Sequence, residues 1–298
     1  MRDAFELYRL QSGYSEKSIR VQDSHVGGFQ RWCKKEGVQE EEITYSQVLE
    51  FIDSERKRGL SNQSIIRQVN SVRIYFDYLL ESGLVKHNII RRVKIRQSGR
   101  MLLPEIIEAE KLEKIYQDFL NVPTWKYHSK GSALLHKRNT VILGLLIYQG
   151  VTTGEIAKME PGHVNIEKGK IYIPSTRKSN PRIITLHANQ IIPLKTYLEQ
   201  TRKKLLENQD HSVSHLLIPV KKHSTLVSSI IHQVKRLHPE IENSRHIRSS
   251  VIMNWLTVNN LRQVQYMAGH KSIRSTEAYR SQDISNLTRQ LEMFHPLK

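Results

Sequence analysis

Residues 267–279 read MAGHKSIRSTEAY. A helical pattern, LRQVQYMAGH, leads into Gly269-His270; Tyr279 follows nine residues after His270, and Thr276 stands three before the tyrosine. Upstream, SRHIRSSVIMNWL (244–256) opens a further helical pattern with Arg245, His246 and Arg248 near its start. A third segment, STRKSNPRIITL (175–186), is a basic loop running into a short strand-like stretch. Together these segments hold the side chains that phosphoryl transfer requires when no metal assists. A nucleophile must approach phosphorus in line, cations must neutralise the non-bridging oxygens, and a proton must reach the leaving oxygen. Tyrosine, arginine with histidine, and lysine fill those roles in that order. A tyrosine phosphoester conserves the energy of the bond it replaces, so rejoining needs no ATP.

Bulk properties narrow the partner. At 298 residues the chain exceeds what one hydrophobic core usually serves, which predicts two domains. Its 46 Lys and Arg residues against 29 Asp and Glu leave a formal charge of +17, spread along the chain rather than gathered in one tail. That distribution suits an extended polyanion, with nucleic acid ahead of a membrane surface. No run approaches the ~18 apolar residues of a transmembrane helix, and the opening MRDAFELYRLQSGYSE lacks the basic-then-apolar layout of a secretion signal. A cytoplasmic, nucleoid-associated protein is expected. The lone Cys33 forms no intrachain disulfide and excludes multi-cysteine zinc modules.

The first third reads as helices. SEKSIRVQDSHVGGFQRWCKKEG, SQVLEFIDSERKRG and SNQSIIRQVNSVRIYFDYLLESG each begin with a Ser cap and end at Gly. In the third, Ile65, Val69, Val72, Phe76 and Leu79 recur at helical spacing as a core face, while Asn62, Arg67 and Arg73 fall elsewhere and could face DNA. The basic stretch RRVKIRQSGRMLLP has no sustained amphipathic period and reads as a linker. The expected organisation is a helical domain over 1–92, a linker over 93–104 and a second domain over 105–298. In the second domain, helical patterns at 104–120, 133–150, 188–208 and 225–238 surround a hairpin made of KIYIP and RIITL.

MAGHKSIRSTEAY resembles the LGH-x-x-x-x-T-x-x-Y signature of the tyrosine recombinases, the phage integrase family, whose members include phage integrases, Xer-like resolvases and transposon recombinases. The resemblance extends to other segments. SRHIRSSVIMNWL is similar to the family's H-x-L-R-H-[ST] box, with Arg248 in the place of its arginine and Arg245 where the family usually has His. His246 is one residue out of register. The basic loop resembles the hairpin that carries the lysine protonating the leaving 5′ hydroxyl; Lys178 takes that place, or Arg177 in an alternative alignment. YQGVTTGEIAKME (148–160) resembles T-G-L-R-x-x-E-L with Gly150, Val151, Glu155 and Ile156 in register, but Thr152 stands where the first arginine belongs. Residues 59–88 are similar to the family's N-terminal core-binding domain, a helical clamp on DNA.

The resemblance implies a mainly α protein with a small antiparallel β-sheet: an N-terminal core-binding domain, then a catalytic domain ending in an exchange helix at SNLTRQLEMF. It implies a site-specific recombinase of mobile-element or Xer-like kind, acting on double-stranded DNA as a synaptic tetramer, without metal or cofactor. Tyr279 is the implied nucleophile. Arg248 and Arg245 hold the phosphate, His270 hydrogen-bonds it or assists proton transfer, and Lys178 is the general acid. Glu155 orients its neighbours, and Asn62, Arg67 and Arg177 contact DNA. Arg245 is expected to compensate for Thr152. Two other readings stand beside this one: a catalytically silent DNA-binding member of the same fold, and a type IB topoisomerase-like enzyme, which the modest length and the helical N-terminal region disfavour.

Overall fold

The computed structural model describes residues 4–96, 105–123, 129–207, 214–218 and 223–280. The chain divides into two compact units, residues 1–101 and 102–298.

The first unit is helical: α1 (Ala4–Gln11), α2 (Glu16–Glu36), α3 (Tyr45–Lys57) and α4 (Asn62–Glu81). Ser15 caps α2 and Ser61 caps α4, each accepting from the backbone N–H three residues on, as the sequence pattern predicts. The start of α3 differs. Thr44, not Ser46, is its cap: Thr44 Oγ1 accepts from the Gln47 N–H, and Gln47 Oε1 accepts from the Thr44 N–H to complete a capping box. Ile65, Val69, Val72, Phe76 and Leu79 are all buried along α4. Phe29 of α2 sits between Phe51 and Phe76, edge-on to both at centroid distances of 5.2 and 5.9 Å. Val93 is buried in this core and Ile95 packs against it. The rest of the expected linker, 97–104, lies outside the described residues.

The second unit is built around α6 (Lys130–Gln149), whose Val141–Ile147 stretch holds six residues of the buried apolar core. Against it pack α5 (Ala109–Leu120), α8 (Ala188–Thr196), α10 (His223–Leu237) and α11 (Ser244–Val258). Between α6 and α8 come the short α7 (Thr153–Ile156) and a three-stranded antiparallel sheet, β1 (Val164–Asn165), β2 (Lys170–Ile173) and β3 (Arg182–Thr185). The anticipated hairpin is β2–β3; β1 is two residues long, too short for any sequence period. Register places Ile171 opposite Ile184 and Ile173 opposite Arg182, so Arg182 shares the buried face of β3 with Ile184.

Two helical expectations are corrected. The pattern at 104–120 becomes helix only at Ala109. Before it, the backbone of Ile107 is held by α11, donating to Ser250 Oγ at 3.0 Å and accepting from Asn254 Nδ2 at 3.1 Å. The pattern at 188–208 is interrupted by a π turn over Tyr197–Thr201, just after Pro193, which has no N–H for the regular ladder. The chain then continues as α9 (Arg202–Leu206) and, after α10 and α11, ends its named helices with α12 (Leu261–Ala268). The expected exchange helix lies outside the described residues. Among those described, no helix is long and apolar enough to cross a membrane.

Replacing Phe29, which is 0% exposed, with Ala removes the centre of the first core. The expected cost is about 3–5 kcal/mol in chemical denaturation; a loss under about 1 kcal/mol would contradict this account of the core.

Candidate active site

Four loops and helix ends meet in the second unit: the end of α6, the β2–β3 turn, the first turns of α11, and the turn after α12. Gly269 ends α12 in the left-handed conformation at φ +67°. A Cβ there would lie 2.4 Å from Nη1 of Arg182 and 3.0 Å from the carbonyl oxygen of Asn180, so both backbone and space require glycine. The Asn180 N–H donates to Gly269 O at 2.9 Å, and Ser179 forms a β-bridge with His270. The hairpin loop is thereby tied to the histidine.

His270 Nδ1 is 2.8 Å from Thr276 Oγ1, which leaves Nε2 as the nitrogen available to a substrate. Residues 274–280 are helical and carry Tyr279, half-buried against Ile252, Val264 and Ala268. The rings of His270 and Tyr279 stack at 5.9 Å with an interplanar angle of 11°. Arg248 is anchored from α11: Nη1 donates to Gly150 O, and Nη2 donates to Ala268 O at 2.7 Å. One guanidinium thus clamps the end of α6 to the end of α12.

Thr152 fills the arginine position of the resembled box, and its local role is a cap. Its Oγ1 accepts from the Glu155 N–H, while Glu155 Oε2 accepts from the Thr152 N–H at 2.7 Å and from its hydroxyl at 2.9 Å. The other carboxylate oxygen, Oε1, accepts from Arg182 Nη1 at 2.5 Å, and both side chains of this ion pair are 0% exposed. Sequence reading did not single out Arg182 as a site residue. Strand alternation was the signal available, since it sets Arg182 on the same face as Ile184.

The remaining expected residues lie around this centre or apart from it. Arg177 and Lys178 are exposed at the β2–β3 turn, whose shape is held by Thr176 and Ser179 bonding each other through backbone and hydroxyl groups. Arg245 is exposed, and its guanidinium makes no hydrogen bond or ion pair among the described residues. His246 is buried facing elsewhere, with Nε2 2.6 Å from Glu105 O. In the first unit, Arg67 lines a cleft of about 340 Å³ with Arg31, Arg58 and His25, and Asn62 stands half-buried at the start of α4.

Charge is unbalanced at the centre. Among the described residues Arg182 and Arg248 face a single carboxylate, Glu155, which stays ionised against its burial because Arg182 and the Thr152 backbone bind the charged form. Burial pushes His270 down to about 4, helped by the charges of Arg248 and Arg182 and opposed by Glu155. The imidazole is therefore neutral near pH 7. Such an excess of buried positive charge is costly until an anion of matching size occupies it.

Arg182, Arg248, His270 and Tyr279 thus share one cationic site in the second unit. Residues 85–285 match the Phage integrase family, and residues 3–83 match the phage integrase N-terminal SAM-like domain. The chain belongs to the phage integrase family. The tyrosine recombinase XerC of Bacillus pumilus is 21% identical over 98% of this chain and 94% of its own length. Among solved structures, the XerH site-specific recombinase bound to a palindromic difH substrate has a TM-score of 0.70 at 17% identity, covering 90% of this chain and 77% of that one. A lambda integrase tetramer bound to a Holliday junction has a TM-score of 0.61 at 16% identity, covering 90% of this chain and 75% of that one. At these identities the structural likeness is one of fold. The chain is a site-specific DNA recombinase, mainly α with a small antiparallel sheet.

The lowered His270 value has a consequence for stability. Between its ordinary 6.5 and about 4, the unfolded chain binds a proton that the folded chain refuses, so stability falls as pH drops through that window. His270→Gln is expected to flatten the decline of melting temperature between pH 6.5 and 4. An unchanged slope would contradict the burial argument.

Proposed function

We propose that Tyr279 is the nucleophile and that this recombinase works through a 3′-phosphotyrosine. The Tyr279 oxygen attacks the scissile phosphorus, and the bond from phosphorus to the 5′ oxygen breaks. Neutral His270 takes the tyrosine proton through Nε2, and Lys178 gives a proton to the leaving 5′ oxygen. Resolution runs the same exchange in reverse: a free 5′ hydroxyl of the partner strand attacks the phosphotyrosine and releases Tyr279. Arg248 holds a non-bridging oxygen, and its two carbonyl anchors fix it in place before substrate arrives, so little reorganisation is needed in the transition state. No metal or nucleotide enters the scheme.

The observation that carries this reading is the parallel stacking of Tyr279 on His270 next to a carbonyl-anchored Arg248. Double-stranded DNA is the substrate. Exposed Arg177, Lys178 and Arg245 suit its phosphates, and Arg67 and Asn62 in the first unit suit a second set of contacts, which fits the domain arrangement of a helical clamp (1–92), a linker (93–104) and a catalytic domain (105–298). Assembly is a tetramer on two duplexes, with residues 285–294 docking onto a neighbouring protomer; the lambda integrase of the comparison is a tetramer bound to a Holliday junction. The protein works at the nucleoid.

A second reading, a silent DNA-binding member of the family, is favoured by Thr152 in place of an arginine. One experiment decides between them. Wild type and Tyr279→Phe are incubated with a nicked suicide duplex carrying the end sequence of the chain's own genetic element. A denaturation-resistant adduct with wild type alone is the expected result. Absence of adduct with site-specific binding intact would establish the silent reading.

A further inference from the structure

Thr152 leaves the site one cation short of the pattern it resembles, and the structure offers a different arginine nearby. Arg182 reaches the centre from β3. Its side chain is 0% exposed and lies directly under the Gly269–His270 turn, so close that a Cβ on Gly269 would be 2.4 Å from Nη1 and 3.0 Å from Cζ. Nη1 binds Glu155, while Nε and Nη2 are buried with no hydrogen-bond partner among the described residues. A buried guanidinium with two unanswered donors is costly, and such a group in a folded protein calls for a reason. The neighbouring backbone holds it in place: Asn180, two residues earlier, donates to Gly269 O, and Ser179 bridges to His270.

Its counter-ion does not cancel it evenly. Glu155 is turned toward Thr152, accepting from its N–H and hydroxyl, so the pair forms a dipole across the floor of the site. The charge of Arg182 outweighs that of Glu155 in its effect on His270, and at Arg248 the order is reversed. Geometry places the positive pole on the histidine side, because Arg182 Nη1 lies 2.4 Å from where a Gly269 Cβ would be, beneath the turn where a phosphate held by Arg248 and His270 would lie. Arg245 has no comparable fixation; it is exposed and unanchored.

We infer that Arg182, held by Glu155, supplies the positive potential that Thr152 cannot, acting as a positioning residue under the Gly269–His270 turn without touching the phosphate. Burial makes this effective, because a charge in low dielectric acts over several ångströms with little screening. The arrangement also explains Thr152: with the cation supplied from below, the position is free for a cap that orients Glu155. The inference rests on the recombinase reading, and the test separates the two.

The test uses full-length protein and the suicide duplex in two forms, with an ordinary scissile phosphodiester and with a neutral methylphosphonate at the same position. Wild type must first form adduct on the phosphodiester; failure there overturns the recombinase reading itself. Arg182→Met combined with Glu155→Gln removes the pair whole, leaving no lone buried charge. Adduct formation at saturating duplex is expected to slow roughly 10²-fold on the phosphodiester. On the methylphosphonate, which needs no such charge, the variant should match wild type within a few-fold. Near-wild-type rates on the phosphodiester overturn the inference, and so does an equal loss on both substrates, which would mark structural damage only.

A second variant covers the case in which that double substitution does not fold. Thr152→Arg in the otherwise unchanged chain restores the side chain of the resembled box. With the charge already supplied by Arg182, it should raise the phosphodiester rate by no more than a few-fold. A gain approaching 10²-fold would show that the site lacks a cation and overturn the inference. Arg245→Ala, run alongside, is expected to lose no more on the phosphodiester than on the methylphosphonate; a loss confined to the phosphodiester would assign the missing charge to Arg245 instead.

Discussion

The buried ion pair between Arg182 and Glu155 ties the β2–β3 hairpin to the short helix α7 and sets the base of the site. An arginine opposite Ile173 on the buried face of a strand must find a counter-charge, and the carboxylate that answers it sits at the start of α7, 27 residues earlier. That requirement fixes where the β2–β3 hairpin meets the end of α6. It also sets the floor on which Gly269 rests, and so the height at which His270 is presented. Removing one partner alone would leave an uncompensated buried charge, typically a loss of several kcal/mol.

Arg248 does for the walls what Arg182 does for the floor. By donating to Gly150 O and Ala268 O it joins the ends of two helices that each finish in a left-handed glycine. Both glycines free a carbonyl for an arginine by ending their helices sharply. On the mechanism proposed above, the Arg248 that joins these helix ends also holds substrate, so binding and folding draw on the same side chain. The excess of cations that makes an empty site costly is the property that favours a phosphodiester within it, and the stacked Tyr279 stands ready beside it.

Much of this was legible in the sequence where the information is local. The spacing from His270 to Tyr279, the position of Arg248 at the start of a helix, and the apolar face of α4 depend only on helical periodicity and on short-range motif spacing. The expected caps at Ser15 and Ser61 held for the same reason. What escaped depends on contacts between distant segments. Ile107 is drawn out of helix by Ser250 and Asn254, more than 140 residues on. Arg182 reads as one more basic residue in a basic loop until Glu155 is placed beside it, although the alternation with Ile184 pointed inward. Thr152 reads as a loss until its hydroxyl and backbone are seen to orient Glu155. His246, one residue from the resembled register, is spent on Glu105 instead of the site.

The central claim is that the pocket is cationic, holds a neutral histidine, and is completed by a phosphodiester. The imidazole of His270 reports on this directly. Its titration can be followed by NMR in Tyr279→Phe, first free and then bound to a duplex carrying the chain's recombination site. The account predicts a value far below the ordinary histidine range in the free protein, near 4, that moves upward when an anionic phosphate offsets Arg248 and Arg182. An ordinary value in the free protein, or a low one that DNA leaves unchanged, would contradict it.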